Sequence, residues 1–356
     1  MVFLFLSKRR PQGRDLFTRP YGRFFHLPRL LAQAGHEVCI FLLSYRNDPP
    51  VSIERDGIRW ISESVRPFGP GRYFRRAREI VEDLRPDWVV GFSDTYYGIL
   101  AVHLGNRYGI RSAVDAYDNF ESYIPWLTPL HRLWRKAVRD ATTVTAAGPQ
   151  LAELLQESRP GRPVHIVPMA ADPHGFAPMD REVCRRRLSL PFDSPLVGYC
   201  GSIYRNRGVQ LLFDAFEDLR KKDGNVRLIL SGRKDRGLRL PVYAHWLGYL
   251  PDGDVPYLLN AMNVLVVINQ LSSFGRYSYP AKLYEAMGCR IPVVAAATGP
   301  AAWILNHEEE NLAQPENHSD LRRKIEHLLS RGRIDYGEIN TWEKSAHEFM
   351  TTLRAN

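Results

Sequence analysis

The segment "LVGYCGSIYRNRGVQLLFDAFEDLRKKDGNVRLILSG", residues 196–232, contains two short apolar runs that flank an amphipathic stretch. The runs at 196–200 and 226–230 have the length and composition of buried strands. The stretch at 208–222 repeats apolar residues at helical spacing and begins at a glycine. A strand, a helix and a second strand in this order are typical of parallel neighbours in one sheet. The segment therefore predicts an α/β fold.

The same alternation extends in both directions along the chain. Strands are predicted at 2–7, 36–44, 87–93 and 111–118, and helices at 22–35, 78–86 and 99–110. The segment 168–180, "PMAADPHGFAPMD", has no periodicity and is predicted to be a linker. We therefore predict two doubly wound Rossmann-like domains, at 1–170 and 171–335, facing each other across a ligand-binding cleft.

Composition excludes several classes of protein. With 356 residues, 44% hydrophobic and 24% charged, the chain is expected to fold rather than to be disordered. No apolar run approaches the ~20 residues of a membrane span, and the apolar start is too short for a signal peptide. The four cysteines lack the paired spacing of a metal or redox site, which favours a reducing, cytoplasmic location.

Positive charge is concentrated in two places within a formal net charge of +9. The segments "RYFRRARE", residues 72–79, and "HRLWRKAVRD", residues 131–140, mix basic and aromatic residues at helical spacing. Each is typical of a solvated helix face, and together they are compatible with peripheral binding to an anionic membrane surface. Nucleic acid is not expected as a partner, because no recognisable binding module accompanies the charge.

The predicted strand ends of the second domain carry mainly glycines and cations. Gly201, Arg205 and Arg207 follow the first of these strands, and Gly232 follows the next. Glycine permits close approach of a ligand to the backbone, and arginine can bind phosphate with two hydrogen bonds. In "YSYPAKLYEAMGCRIPVVAAATG", residues 277–299, Lys282 lies at a helix start, where a cation is unfavourable without an anion nearby.

A bound diphosphate would supply that anion, and Glu285, one turn later, would suit a sugar hydroxyl. Two simpler interpretations stay open at this point. The glycines and arginines would also fit a tight strand–helix turn, and Lys282 with Glu285 would also fit a surface pair.

These segments resemble GT-B glycosyltransferases. "VGYCGSIYRNRGVQLLFDAF" is similar to the glycine turn and helix that open their donor domain, and "YPAKLYEAMGCRIPVVA" to the donor motif of their family 4 (glycosyl transferases group 1). "VHIVPMAADPHGFAP" resembles their domain junction and "HWLGYLPDGDVPYLLNAMNVLVVI" the segment beside the nucleotide base. The resemblance implies that residues 336–356 form a helix that returns to the N-terminal domain.

The resemblance also implies roles for individual residues. Arg207, with Arg205 as a second contact, would bind the donor diphosphate together with Lys282, and Glu285 would bind the ribose. Tyr249 and Leu250 would lie beside the base. Two positions depart from the family pattern: Tyr277 stands where a first glutamate is common, and Ser202 where an arginine is common.

The N-terminal domain is expected to bind the acceptor. Gly13 and Arg14 lie in a basic loop that resembles the acceptor loop of the family, although a mobile surface loop is an alternative. In "DAYDNFE", residues 115–121, Asp118 is preferred over Asp115 and Glu121 for positioning or proton transfer, and helix capping is the alternative for each. Asp118, Arg207 and Lys282 are thus the predicted catalytic residues.

No metal and no cofactor are expected. Asp252 and Asp254 mimic an Asp-x-Asp metal site, but the surrounding Pro-Asp-Gly predicts a turn, with Asp254 capping the next helix. The expected activity is transfer of a sugar from a nucleotide-diphosphate sugar to a lipid-linked or polysaccharide-precursor acceptor, with retention of configuration implied by the resemblance. A catalytically inactive nucleotide-binding partner subunit and a nucleotide-sugar epimerase are the alternatives.

Overall fold

The chain divides into two compact units in the computed structural model, which describes residues 1–67 and 69–355. The first unit comprises Met1–Met169 together with Trp342–Asn356, and the second comprises Ala170–Thr341. Residues 336 to 341 therefore belong to the second unit, and the final helix belongs to the first.

The first unit is built on a sheet whose strand order is β3-β4-β2-β1-β5-β6-β7-β8 over the described ranges. All neighbouring pairs are parallel except β3 and β4, an antiparallel hairpin that the sequence reasoning did not predict. The strands are β1 Val2–Lys8, β2 Glu37–Ser44, β3 Val51–Arg55, β4 Ile58–Ser64, β5 Trp88–Gly91, β6 Arg111–Ala116, β7 Thr143–Ala146 and β8 His165–Ile166.

Helices cover this sheet because its central strands are apolar on both faces. Phe3, Leu4, Phe5 and Leu6 of β1 are all fully buried, which requires packing on each side of the strand. The helices of the first half of the chain are α1 Arg23–Gln33, α2 Gly71–Leu84, α3 Thr95–Tyr108, α4 Thr128–Asp140 and α5 Pro149–Gln156.

The second unit contains an entirely parallel sheet in the order β11-β10-β9-β12-β13-β14. Its strands are β9 Leu196–Cys200, β10 Arg227–Ser231, β11 Ala244–Trp246, β12 Val264–Val267, β13 Val293–Ala296 and β14 Leu312–Ala313. Its helices are α6 Arg181–Arg187, α7 Val209–Lys222, α8 Val255–Ala261, α9 Ala281–Gly288, α10 Gly299–Ile304 and α11 His318–Leu329. The strand, helix and strand predicted within 196–232 are β9, α7 and β10.

The last helix, α12 (Trp342–Arg354), packs against α1 within the first unit. The ring of Trp342 stacks on His26 with centroids 5.0 Å apart, and Phe349 is fully buried. The helix is therefore part of the core of the first unit.

Each sheet has a point where the chain reverses its direction of strand addition. In the first unit this point lies between β1 and β5, and in the second between β9 and β12. At such a point the loops after the two strands diverge to opposite faces, which leaves a crevice at the carboxyl ends of the strands. Ligands of doubly wound sheets bind there, so these loops direct attention to the candidate sites.

Candidate functional site

Two of the predicted donor-site glycines lie against each other where β9 and β10 end. Gly232 has a φ of +138°, and a β-carbon there would lie 1.7 Å from the carbonyl oxygen of Gly201. A positive φ and such an overlap both exclude larger residues. A β-carbon at Gly201 would meet only ordinary contacts, the nearest at 3.6 Å from the Tyr199 hydroxyl. The loops after β9 and β10 thus approach closely because position 232 is glycine.

Arg207 lies at the reversal point of the second sheet. Its Nη1 donates to Asn269 Oδ1 at 3.3 Å, and its guanidinium carbon lies 4.2 Å from the ring centroid of Phe274. Asn269 and Phe274 follow β12, so side chains from both loops meet. Arg205 is exposed, and its backbone amide donates to Asp235 Oδ2 at 2.9 Å. Arg207 is thus in contact with the loop after β12, and the backbone of Arg205 is bonded to the loop after β10.

Lys282 and Glu285 form an ion pair at the start of α9. Lys282 Nζ donates to Glu285 Oε2, and the two side chains are 17% and 2% exposed. A carboxylate this buried is not part of a surface pair, which removes that alternative. Burial of a charge is costly without a partner, and the ion pair supplies a partner for each group. The anion expected near Lys282 is, within this structure, Glu285.

The loop after β11 is joined to the loop after β10. The Gly232 amide donates to the Gly248 carbonyl at 2.8 Å, and the guanidinium of Arg233 lies 4.9 Å from the ring of Tyr249. Tyr249 is 39% exposed and Leu250 is half-buried. The predicted base-binding residues therefore lie beside the glycine turn, at the edge of the same group of loops.

The Asp-x-Asp sequence forms a 3-10 turn, Asp252–Asp254, before α8. Asp254 occupies the N-cap position, but its side chain does not cap the helix, contrary to the prediction. Its Oδ1 instead accepts from Arg187, whose Nη2 lies 2.7 Å away. Within residues 1–67 and 69–355, no three His, Cys, Asp or Glu side chains are grouped so that they could hold a metal ion.

The three acids of residues 115–121 in the first unit have different environments. Asp115 and Arg23 are both fully buried and joined by two hydrogen bonds of 2.6 and 2.8 Å; Thr145 donates a third, at 2.6 Å. Glu121 accepts two hydrogen bonds from Arg135 of α4, at 2.6 and 2.8 Å. These partners give Asp115 and Glu121 structural roles.

Asp118 is the acid with a tyrosine partner. Its side chain is almost buried, at 8% exposure, and its Oδ2 accepts from the Tyr123 hydroxyl at 2.7 Å. Tyr123 is also hydrogen-bonded to Tyr117, and the Lys8 ammonium lies 5.9 Å from its ring centroid. Burial, with the charge of Asp118 adding to it, raises the pKa of Tyr123 far above its usual value. Tyr123 is therefore a hydrogen-bond donor at neutral pH.

The reversal point of the first sheet carries polar residues to which the sequence reasoning gave no individual roles. Lys8 Nζ lies 3.5 Å from Asp94 Oδ2, and the Lys8 amide donates to Ser93 Oγ at 3.1 Å. Ser93 is fully buried and has a φ of +68°, which is strained for serine. The sequence does place polar residues at the ends of two apolar runs, "SK" after the first and "FSD" after the other. That β1 and β5 are adjacent, however, cannot be read from the sequence.

The predicted acceptor loop is held by ion pairs. Arg9 binds Asp15 at 3.0 Å, and Arg10 binds Asp48 at 2.5 Å. The hydrogen bond from Arg10 lowers the pKa of Asp48 to about 2. These pairs neutralise much of the positive charge of the loop and attach it to the end of β2.

Gly13 and Arg14 lie at the tip of this loop. Gly13 has a φ of +76°, as a turn there requires. The Arg14 guanidinium stacks 3.8 Å above the ring of Tyr21. The stacked pair thus belongs to the loop at the carboxyl end of β1.

The two basic segments are the helices α2 and α4, and each buries one apolar stripe. Exposed apolar residues lie just before α4 and within it: Trp126 is 77% exposed and Leu133 is 53% exposed. Phe74 of α2 is 46% exposed. Across the part of the chain that the structure describes, every helix is too short or too polar to cross a bilayer.

Comparison with protein families agrees with the division into two units. The profile for "Glycosyl transferases group 1" matches residues 194–331, and that for "Glycosyl transferase 4-like domain" matches residues 23–170. The first match contains β9 to α11, and the second contains most of the first unit.

Individual relatives cover less of the chain. A D-inositol 3-phosphate glycosyltransferase of Xylanimonas cellulosilytica is 32% identical over an alignment of 155 residues, which covers 38% of this chain and 35% of the relative. A 2-deoxystreptamine glucosyltransferase of Streptomyces kanamyceticus is 25% identical over an alignment of 246 residues, which covers 63% of this chain and 59% of the relative. The chain thus spans less than two thirds of the length of these curated relatives.

Solved structures resemble the whole chain. Sucrose-phosphate synthase of Thermosynechococcus elongatus has a TM-score of 0.81 at 17% identity, with 100% of this chain and 99% of that one covered. Anabaena HepE in complex with UDP has a TM-score of 0.78 at 15% identity, with full coverage of both chains. At these identities the likeness shows the fold, two Rossmann-like domains of the GT-B type.

Proposed function

The chain belongs to the group 1 glycosyl transferases, and on that basis we propose that it transfers a sugar from a nucleoside-diphosphate sugar to an acceptor. The observation that carries this proposal is the position of Arg207. Its side chain lies at the reversal point of the second sheet, where it contacts residues after β12. A fixed guanidinium in the crevice of a doubly wound sheet suits a diphosphate.

The second unit is proposed to bind the donor. Arg207 and Lys282, with Arg205 as a further contact, would neutralise the diphosphate as it leaves. Glu285 would accept from a ribose hydroxyl, and Tyr249 and Leu250 would lie beside the base. The structures of HepE with UDP and with UDP-glucose favour uridine as the base and glucose as a first sugar to test.

The first unit is proposed to bind the acceptor through the loop of Gly13 and Arg14. The acceptor oxygen would form a bond to the anomeric carbon on the face from which the diphosphate departs, as the bond from that carbon to the diphosphate breaks, and Asp118 would accept the hydroxyl proton. Tyr123 supports this role, because its hydrogen bond fixes the carboxylate. Retention of configuration is part of the proposal and rests on the family alone.

The proposal is tested by measuring the release of UDP from UDP-glucose with three classes of acceptor in turn: free sugars, sugar phosphates and lipid-linked sugars. We expect one acceptor class to give turnover that persists in EDTA and falls by about 10²-fold or more in Asp118→Asn. Dependence on added Mg²⁺ would contradict metal independence. UDP binding without turnover on any acceptor would favour an inactive partner subunit.

A lipid-linked acceptor at an anionic membrane surface is the proposed acceptor class. Trp126 and Leu133 are exposed beside the cations of α4, and Trp with basic residues is the composition of interfacial helices. Sedimentation with vesicles of phosphatidylglycerol should carry down the protein, and vesicles of phosphatidylcholine should carry down less. Trp126→Ser should weaken this binding, whereas Trp246→Ser, which alters an exposed tryptophan of the second unit, should not. Equal binding by both variants would contradict the proposal.

A further inference from the structure

We infer that Asn269 and Phe274 are positioning residues that hold the Arg207 guanidinium for the diphosphate of the donor. The inference rests on the proposed function of the second unit and gives two residues of the loop after β12 a role in it. Neither residue needs to touch the nucleotide. Each acts by restricting the orientation of Arg207.

The two contacts restrict Arg207 in different ways. The ring of Phe274, 4.2 Å from the guanidinium carbon, covers one face of the guanidinium through a cation–π contact. Asn269 Oδ1 accepts from Nη1 at 3.3 Å, which uses one of the five N–H donors of arginine. A ring on the face and an acceptor at one edge define the plane of the group. An arginine held in a plane loses less conformational entropy when it binds a phosphate with two hydrogen bonds.

The loop that carries Phe274 is itself tightly folded. A β-carbon at Gly275 would lie 2.0 Å from the Gln270 carbonyl oxygen, so the loop returns on itself at a position that only glycine fits. The Gly275 amide donates to Ser272 Oγ at 3.0 Å, and the Ser272 amide donates to the Gln270 carbonyl at 2.8 Å. Phe274 therefore extends from a tight, hydrogen-bonded turn.

The turn that carries Arg207 packs on the same loop. Gly208 follows Arg207 with a φ of +82°, and a β-carbon there would lie 3.2 Å from Gln270 Cγ. The strands that lead into the turn and the loop, β9 and β12, are hydrogen-bonded neighbours. The contact of Gly208 with Gln270 and the pairing of β9 with β12 thus set the distance between Arg207 and its two partners, and the partners' side chains set its orientation.

Calorimetric titration with UDP and with uridine separates positioning from folding, because uridine has no phosphate. We expect Phe274→Leu and Asn269→Ala each to weaken UDP binding by about 3- to 10-fold and to leave uridine binding unchanged. Phe274→Tyr keeps an aromatic ring and should bind UDP as the wild type does. Tyr257→Leu is the matched control, since it removes a ring 4.4 Å from the Arg187 guanidinium in the same unit; it should leave both affinities unchanged.

The variant Arg207→Met distinguishes this inference from the function on which it rests. It should weaken UDP binding roughly 10- to 100-fold, and adding Phe274→Leu to it should cause no further loss. If Arg207→Met binds UDP normally, the proposed donor site is wrong. If Arg207→Met loses affinity while both Phe274→Leu and Asn269→Ala keep it, the positioning role is wrong and the donor site stands. A parallel loss of uridine binding in Phe274→Leu and Asn269→Ala would also overturn the inference, because it would indicate a general disturbance of the site.

Discussion

Replacement of Gly232 by alanine is expected to disrupt the donor site through the backbone. The new β-carbon would lie 1.7 Å from the Gly201 carbonyl oxygen, so the loops after β9 and β10 would have to separate by roughly 1.5–2 Å. The φ of +138° adds about 1–3 kcal/mol of backbone strain, and the forced separation adds about 1–3 kcal/mol more. We expect a loss of about 2–6 kcal/mol in the free energy of unfolding.

Urea unfolding followed by circular dichroism measures this loss, and two other glycines of the same unit serve as controls. Gly237 has a φ of +78° with nothing within 4 Å of its β-carbon position, so Gly237→Ala should cost only the strain, about 1–2 kcal/mol. Gly224 has neither a strained φ nor a near neighbour, so Gly224→Ala should be close to neutral. UDP affinity should fall in Gly232→Ala alone. Equal stabilities for Gly232→Ala and Gly237→Ala would refute the reasoning.

Two further predictions concern the first unit. Asp115→Ala leaves the fully buried Arg23 without its carboxylate and should reduce the free energy of unfolding, measured in urea, by about 3–5 kcal/mol. Glu121→Ala, which breaks a pair with the exposed Arg135, should reduce it by less than about 1 kcal/mol. Similar losses in the two variants would contradict this prediction. Asp48 has a folded pKa of about 2, below its ordinary value of 3.8, so its stabilising contribution is present above pH 4 and is lost as the pH falls towards 2. The melting temperature of Asp48→Asn should therefore fall less than that of the wild type between pH 4 and pH 2. An identical fall in both proteins would contradict the prediction.

Local sequence patterns were sufficient for the repeating units of the fold. The apolar runs around α7 predicted β9 and β10, and alternation along the chain predicted two doubly wound domains. The hairpin of β3 and β4 was missed although its turn, Asp56-Gly57, is a recognised hairpin signal, with φ of +56° and +71°. Its strands are short and partly polar, so the apolar periodicity that identified the other strands was weak there.

The site was harder to predict, because the relevant contacts join residues that are far apart in the chain. Arg207 meets Asn269 and Phe274 only because β9 and β12 are adjacent, and strand order cannot be read from composition or spacing. Asp115 and Asp118 are three residues apart and both acidic, yet one is neutralised by Arg23 and the other bonds Tyr123. Burial and partners, which depend on the tertiary fold, decide between a structural and a functional acid.

The most direct test of the central claim is a calorimetric titration of the wild type and of Arg207→Met with UDP, GDP and ADP, each with EDTA and with Mg²⁺. The account predicts that one nucleotide binds the wild type with the same affinity in EDTA and in Mg²⁺, and that Arg207→Met loses most of that affinity. Failure of all three nucleotides to bind, or undiminished binding by Arg207→Met, would contradict a donor site at the reversal point of the second sheet.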